Sequence, residues 1–112
     1  MLDTSNIRVL IADDHKMVRD GLHALLARQP GIDVVGEADG GASAVSMARN
    51  LRPDVVIMDV AMPGISGIDA TREITHDLIG VKVIALSMHN NASFVSKMID
   101  AGAAGYILKD CA

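Results

Sequence analysis

Residues 7–14 read IRVLIADD, and this stretch decides the fold. The run Ile7–Ala12 is short, rich in Ile and Val, and nearly continuous in apolar residues, which is typical of a strand covered on both faces. Two carboxylates, Asp13 and Asp14, follow it directly. The stretch therefore predicts a buried strand with acidic side chains at its carboxyl end.

Four further runs of the same kind follow along the chain. Val55–Met58 and Val81–Leu86 are also nearly continuous in apolar residues, which predicts strands inside a sheet. Asp33–Ala38 alternates more and carries Glu37, which favours a position at the sheet edge. The last run, Tyr106–Leu108, is the shortest of these four.

The longer segments between the runs carry apolar residues at helical spacing. Pro30-Gly31 ends the first of them, Pro53 follows the second, and Gly102 and Gly105 end the fourth. The apolar stripes are Val18, Leu22, Leu25 and Leu26 in the first segment, Ala44, Val45 and Ala48 in the second, Ile68 to His76 in the third, and Phe94, Val95, Met98 and Ile99 in the fourth.

This alternation of strands and helices predicts an α/β domain with a parallel sheet and right-handed crossovers. Such a domain normally covers its last strand with one more helix, and the chain ends soon after Lys109, so we expect that helix to be missing. Residues Tyr106–Leu108 and one face of the first helix would then form an uncovered apolar patch. We expect the fragment to form a homodimer, or a dimer with exchanged segments, through that patch.

The composition restricts the class of protein. The chain has 112 residues, which is the length of one domain. Its net charge of −4 disfavours direct binding to nucleic acid. Its single cysteine, Cys111, excludes a disulfide framework and suits a reducing compartment. No apolar run approaches the ~18 residues of a membrane span, and a signal-peptide pattern is lacking. We therefore expect a cytoplasmic domain without membrane contact.

Polar residues that can take part in chemistry follow four of the five predicted strands. They are Asp13 and Asp14 after the first, Asp59 after the third, Ser87 after the fourth and Lys109 after the fifth. Ligands of open parallel sheets bind at the carboxyl ends of the strands. We therefore expect these side chains to line one site.

Three carboxylates in one site repel each other, each pair by about 4 kcal/mol at 4 Å in a medium of effective dielectric constant near 20. A hard divalent cation relieves this, since Mg²⁺ prefers oxygen ligands. The charges of the three carboxylates, one Mg²⁺ and the Lys109 ammonium would cancel. Asp59 stands alone, followed by a loop with Pro63 and Gly64, and is the candidate nucleophile for a phosphoryl group.

Taken singly, each of these residues has an ordinary structural interpretation. Asp13 or Asp14 could cap the next helix, and Asp59 could bond to loop amides. Ser87 could be a satisfied strand-end hydroxyl, and Lys109 could be solvated. Their joint occurrence at four strand ends favours the functional interpretation.

His15 follows the two aspartates and invites a metal-ligand interpretation. A lone histidine at the start of a helix is more often a surface or capping residue, and no second histidine stands at ligand spacing. We therefore expect His15 to be a surface or capping residue.

Four stretches together resemble the receiver domain of two-component response regulators, in detail the NarL/FixJ (LuxR-type) family. They are residues 9–15 (VLIADDH), 58–64 (MDVAMPG), 85–89 (ALSMH) and 101–109 (AGAAGYILK). The resemblance runs from about Ile7 to Lys109, which is nearly the whole chain.

The resemblance implies a flavodoxin-like, doubly wound, five-stranded parallel sheet with strand order 2-1-3-4-5. Residues 1–112 would be a receiver domain truncated before the fifth helix, without the C-terminal helix-turn-helix domain. The implied function is a signalling switch that a sensor histidine kinase phosphorylates and that, in the full-length protein, controls a DNA-binding transcription regulator. It would not be an enzyme beyond Mg²⁺-dependent self-phosphorylation and autodephosphorylation.

The resemblance also implies how the metal and the phosphoryl group are held. Asp59 would accept the phosphoryl group. Asp14, Asp59 and the backbone carbonyl of Ala61 would bind Mg²⁺, and Asp13 would assist through water.

Three further residues would carry the switch. Ser87 and Lys109 would each contact a phosphoryl oxygen, and Tyr106 would be the aromatic side chain that changes rotamer on activation. The chain departs from the common pattern at Asp110, where many receivers have proline, so no cis-proline turn helps to aim the lysine. It also departs at Ala61, which offers no side chain to the phosphoryl group.

Two other classes of protein compete with this interpretation. A Mg²⁺-dependent phosphohydrolase of the haloacid dehalogenase type also has an aspartyl nucleophile at a strand end, but it needs a second Asp at position 61, where this chain has Ala61. A flavodoxin-like cofactor carrier needs a phosphate loop rich in Ser, Thr and Gly after the first strand, where Asp13 and Asp14 stand.

Overall fold

The computed structural model describes residues 6–60, 62, 66–87 and 92–108, the side chains of 92–94 and 108 excepted. Within these ranges, strands and helices alternate along the chain, as the sequence predicts. The elements are β1 (Ile7–Ala12), α1 (Lys16–Ala27), β2 (Ile32–Ala38), α2 (Gly41–Leu51), β3 (Val55–Asp59), α3 (Gly67–Asp77), β4 (Lys82–Ser87), α4 (Ala92–Asp100) and β5 (Gly105–Leu108).

The strands form one five-stranded sheet in the order β2-β1-β3-β4-β5, and every neighbouring pair is parallel. This confirms the flavodoxin-like, doubly wound sheet and its predicted strand order. The nearly continuous apolar runs β1, β3 and β4 lie inside the sheet, and the alternating run β2 lies at an edge. Strands inside a parallel sheet are covered on both faces, whereas the edge strand β2 carries Asp33 and Glu37 along its length.

The strand ends differ by one residue from the sequence prediction. Asp59 pairs with Leu86, and Ser87 pairs with Leu108, so Asp59 and Ser87 are the last residues of their strands rather than the first residues after them. β2 and β5 likewise start one residue earlier, at Ile32 and Gly105. The backbone pairing of neighbouring strands continues past the apolar run, and composition alone does not reveal this.

The main core lies between the sheet and the helices α2, α3 and α4. Alternate strand residues face this side, so Leu10 and Ala12 belong to the core cluster, whereas the equally buried Val9 and Ile11 lie outside it, on the face where α1 packs. The predicted stripe on α2 is buried as expected. The cluster includes Ala44, Val45, Ala48, Val56, Met58, Ala70, Ile74, Val83, Ala85 and Met98.

Helix α1 is less covered than its apolar stripe predicts. None of its residues is buried, and Leu25, which belongs to the predicted stripe, has 60% of its surface exposed. Val18, Leu22 and Leu26 are half-buried. Ile107 on β5 is 48% exposed, so apolar surface remains open on the described parts of both α1 and the edge strand.

A search of the described residues for a helix long and apolar enough to cross a lipid bilayer finds none.

Candidate functional site

The acidic turn after β1, which contains Asp13 and Asp14, is held by hydrogen bonds to two neighbouring elements. The Asp13 N–H donates to the carbonyl of Ala38 on β2 at 3.0 Å, and the Arg19 guanidinium on α1 donates to the Asp13 carbonyl at 2.6 Å. The Asp13 Oδ1 atom accepts the His15 backbone N–H at 2.8 Å. The Asp13 side chain is completely buried, so its carboxylate has a fixed position at the end of β1.

Neither aspartate of this turn caps the next helix. Helix α1 begins at Lys16, and its N-cap residue is His15, whose side chain makes no capping hydrogen bond. His15 is therefore a helix-start residue, as predicted, and its side chain is 60% exposed. Capping of α1 is therefore not the role of either aspartate.

Asp59 ends β3 and is 3% exposed. The chain beyond it is tied down, because the Val60 N–H donates to the carbonyl of Leu86 at 3.0 Å and the Gly67 N–H donates to the carbonyl of Val60 at 2.9 Å. Helix α3 then starts directly against the strand: a Cβ atom on Gly67 would overlap the carbonyl oxygen of Asp59. Only glycine allows this approach, which fixes the backbone that carries the Asp59 carboxylate.

Four side chains meet at the carboxyl end of the sheet. One carboxylate oxygen each from Asp13, Asp14 and Asp59 and one ring nitrogen of His15 all lie within 4.8 Å of one another. Opposite ligands of an octahedral Mg²⁺ stand ~4.2 Å apart, since each metal–oxygen bond is ~2.1 Å. The cluster is therefore compact enough for one hard cation to lie among the three carboxylates, and such a cation would offset their repulsion.

The other predicted site residues lie partly outside the described residues. Ser87 is 2% exposed and ends β4, next to β3 in the sheet, so it stands at the same edge as Asp59. Tyr106 on β5 is half-buried, packs against the core cluster and pairs with Ala85. Lys109 and the carbonyl of Ala61 lie outside the described residues.

Arg19 is a residue of this region that sequence reasoning missed. Its side chain is 16% exposed, and besides the carbonyl of Asp13 it contacts Glu37 on β2, with Nε 3.4 Å from Oε1. The Nδ1 atom of His23 lies 2.7 Å from the other oxygen of the same carboxylate. Arg19 thus joins α1, the edge strand and the acidic turn. The sequence offered one weak indication of this role: a charged residue, Arg19, stands directly next to Val18, the first residue of the apolar stripe on α1.

Comparison with known proteins agrees with this fold. The model of the response regulator receiver domain family matches residues 9–112. The chain therefore belongs to the receiver domains of two-component response regulators, and its relatives support the NarL/FixJ type. Receiver domains are phosphorylation-dependent signalling switches rather than enzymes in general, and they bind Mg²⁺ at an acidic pocket.

Individual relatives give the degree of similarity. The response regulator GacA of Pseudomonas viridiflava is 47% identical over 103 residues, which are 92% of this chain and 48% of GacA. The chain spans about half the length of the curated relatives that it matches.

Two solved structures are similar in both sequence and fold. The signal receiver domain of NarL from Mycobacterium tuberculosis has a TM-score of 0.91 at 34% identity, covering 95% of this chain and 86% of that chain. The isolated receiver domain of RcsB from Salmonella enterica serovar Typhimurium, solved in the presence of the phosphomimetic BeF₃⁻, has a TM-score of 0.88 at 32% identity, covering 96% of this chain and 80% of that chain.

Proposed function

We propose that this domain accepts a phosphoryl group on Asp59 from the phosphohistidine of a sensor histidine kinase, with Mg²⁺ held in the acidic cluster. In the whole protein, the phosphorylated state controls a C-terminal DNA-binding domain that regulates transcription in the cytoplasm. The observation that carries this proposal is the meeting of three carboxylates within 4.8 Å at the carboxyl end of the sheet. The phosphomimetic used with the related RcsB domain supports the same chemistry.

Asp59 is the acceptor because its position differs from that of the other two carboxylates. Asp13 already accepts the N–H of His15, and Asp14 neighbours it on the same turn, which suits both for holding a cation. Asp59 ends a central strand, and the backbone of the next residue, Val60, is hydrogen-bonded to Leu86 and Gly67. A carboxylate fixed in this way beside a cation is a suitable nucleophile.

The transfer is a displacement at phosphorus. An oxygen of Asp59 forms the new P–O bond, the P–N bond to the donor histidine breaks, and the leaving imidazole nitrogen keeps the electron pair and takes up a proton. The product is an acyl phosphate on Asp59.

Residues of this chain balance the charge of that reaction. Asp14, Asp59 and the Ala61 carbonyl would hold Mg²⁺, and Asp13 would assist through water. When bound, the ion neutralises phosphoryl oxygens. Lys109 would pair with a second phosphoryl oxygen.

The switch needs more than one contact. Phosphorylation replaces a carboxylate charge with ~−2 of phosphoryl charge and three acceptor oxygens. Moving a two-state element from 1:99 to 99:1 takes ~5.5 kcal/mol, whereas one hydrogen bond to a charged group supplies ~1.5–3 kcal/mol. Ser87 therefore supplies only part of this free energy, and Lys109, the metal and the loop 60–66 supply the rest. Ser87 moves toward the phosphoryl group, and Tyr106 turns into the space that Ser87 vacates.

Incubation with acetyl phosphate and Mg²⁺ tests this function and separates it from the two competing classes. A receiver domain gains one labile phosphoryl group per chain, visible in the intact mass, and loses it on treatment with base or hydroxylamine. A phosphohydrolase releases many phosphates per chain, and a flavin carrier does not react. Failure to label under these conditions would contradict the proposal.

Ser87→Ala is expected to keep phosphorylation but to weaken the conformational change that follows it. The alanine leaves the acceptor intact and removes one hydrogen bond to the phosphoryl group, a loss of about 1.5–3 kcal/mol of coupling. Chemical-shift changes on adding BeF₃⁻ measure the response, and Ser46→Ala on the exposed face of α2 is the control. Shifts in Ser87→Ala as large as those of the parent would refute this role.

We also propose that this chain self-associates through exposed apolar side chains, among them Leu25 on α1 and Ile107 on β5. Burying such surface between two chains favours association by about 25 cal/mol per Å² of apolar area. Light scattering at high protein concentration is expected to give a mass above that of one chain, and Leu25→Lys should lower it. A monomer mass for the parent across the concentration range would count against this association.

A further inference from the structure

Arg19 holds the peptide bond between Asp13 and Asp14. One nitrogen of its guanidinium donates to the Asp13 carbonyl oxygen at 2.6 Å, and this carbonyl belongs to the peptide that leads into Asp14. On the other side of the same residue, the Asp13 N–H donates to the carbonyl of Ala38 at 3.0 Å. Because peptide units are planar, fixing these two groups leaves the backbone little freedom and decides where the Asp14 Cα atom lies.

The two carboxylates of the acidic turn differ in how they are held. The Asp13 side chain is completely buried, and its Oδ1 atom accepts the His15 backbone N–H at 2.8 Å. The Asp14 side chain is 29% exposed, so water competes for its carboxylate oxygens. The position of Asp14 therefore depends more on the peptide that carries it, and this is the peptide that Arg19 holds.

The guanidinium of Arg19 is itself fixed. Arg19 lies in the first turn of α1, where its N–H donates to the carbonyl of His15 at 3.0 Å, and its side chain is 16% exposed. Its Nε atom lies 3.4 Å from Oε1 of Glu37 on β2, whose Oε2 atom lies 2.7 Å from Nδ1 of His23. The planar guanidinium carries donors in a fixed fork, so it can hold a carboxylate and a carbonyl at the same time. It thus keeps the acidic turn at a fixed distance from the edge strand.

We propose that Arg19 is a positioning residue that raises the affinity of the acidic cluster for Mg²⁺ by holding the peptide between Asp13 and Asp14, and that Glu37 acts through it. The inference rests on the proposed function, in which this cluster holds the ion. Hydrogen-bonded partners that orient metal ligands commonly raise metal affinity by about 10–100-fold. We expect the lower end of this range, about tenfold, because Arg19 bonds to the backbone and not to a ligand atom.

The charge of Arg19 predicts the opposite effect. Its guanidinium repels a cation, so if electrostatics were its only contribution, removing it would tighten Mg²⁺ binding. Loss of positioning weakens Mg²⁺ binding instead. The sign of the change in affinity therefore separates the two roles.

Titration of the domain with Mg²⁺, followed by amide chemical shifts, tests this role without a phosphoryl donor. Arg19→Gln is expected to raise the Mg²⁺ dissociation constant about tenfold, since glutamine keeps the helix propensity but has no charged fork. Arg19→Lys keeps one charged donor and should give a constant between those of the parent and Arg19→Gln. In labelling by acetyl phosphate, Arg19→Gln should need more Mg²⁺ for half the maximal rate, while the rate at saturating Mg²⁺ stays within about twofold of the parent.

Two further variants are the controls. Arg72→Gln removes the same charge from an exposed arginine of α3, whose nitrogen lies 3.1 Å from Oδ1 of Asp69, and it should keep the dissociation constant of the parent. Adding Glu37→Gln to Arg19→Gln should change the constant by less than about twofold, because Glu37 acts through Arg19. Urea unfolding checks that all variants are folded during the titrations.

The outcomes separate this inference from the proposed function. If the parent binds Mg²⁺ and is labelled, but Arg19→Gln binds Mg²⁺ at least as tightly as the parent, the role of Arg19 is overturned and the phosphoryl-acceptor function stands. A lower rate at saturating Mg²⁺ with an unchanged dissociation constant would overturn it as well. Should Arg19→Gln unfold, Arg19→Lys decides by the same criterion. If the parent neither binds Mg²⁺ nor is labelled, the proposed function fails and this inference fails with it.

Discussion

Asp59→Asn is expected to reduce labelling by acetyl phosphate to background while the protein stays folded. Asparagine has nearly the same shape, but its amide oxygen carries no charge and is a poor nucleophile. Removing one of three clustered carboxylates also relieves repulsion. The free energy of unfolding without divalent ions should therefore be no lower than that of the parent. Intact mass spectrometry measures the label, and urea unfolding measures the stability.

Asp39→Asn is the control for this substitution. Asp39 is exposed and directly follows β2, so it also stands at a strand end, but the metal-ligand cluster found among the described residues does not include it. Its labelling should equal that of the parent. If Asp59→Asn were labelled as fully as Asp39→Asn, the assignment of the acceptor would be wrong.

Gly67→Ala is expected to destabilise the fold and to impair labelling together. The added Cβ would overlap the carbonyl oxygen of Asp59 and crowd the backbone of Val60, and backbone atoms cannot turn away as a side chain can. The higher helix propensity of alanine than of glycine stabilises the folded variant by about 1 kcal/mol. Overpacking of this kind lowers the free energy of unfolding by about 1–3 kcal/mol or more, and an overlap with backbone atoms belongs at the upper end of that range. We therefore expect a net loss of about 2 kcal/mol.

Urea unfolding of Gly67→Ala should show a lower midpoint at an unchanged slope. Labelling at subsaturating acetyl phosphate should slow, because α3 can relieve the overlap only by displacing the strand end that carries Asp59. Gly21→Ala is the matched control, since a Cβ on Gly21 of α1 meets no atom within 4 Å. That variant should gain up to about 1 kcal/mol. Parent-like stability of Gly67→Ala would show that the close approach is absent.

Local sequence patterns predicted the strands and helices well, because the formation of each element depends on residues that are close together in the sequence. The nearly continuous apolar runs identified β1, β3 and β4 as interior strands, and Glu37 marked β2 as an edge strand. The stripe on α1 was less informative: Leu25 has the right spacing but is largely exposed, since spacing shows which face a residue lies on and not whether another element covers that face.

For the site, the sequence indicated which strand ends carry polar side chains but not what contacts them. Arg19 reaches the carbonyl of Asp13, and Gly67 lies against Asp59, through contacts that no local pattern reveals. His15 shows the same limit. A histidine at a helix start is usually only a surface residue, and its nearness to two carboxylates depends on how the turn folds.

By itself, the sequence determined the alternation of elements, the parallel sheet and the residues at its carboxyl edge, because strand and helix periodicity are local properties of the chain. The tertiary structure decided that Asp59 comes within ligand distance of Asp13 and Asp14, although more than forty residues separate them in the sequence. It did so because β3 pairs directly with β1, which brings the two strand ends side by side.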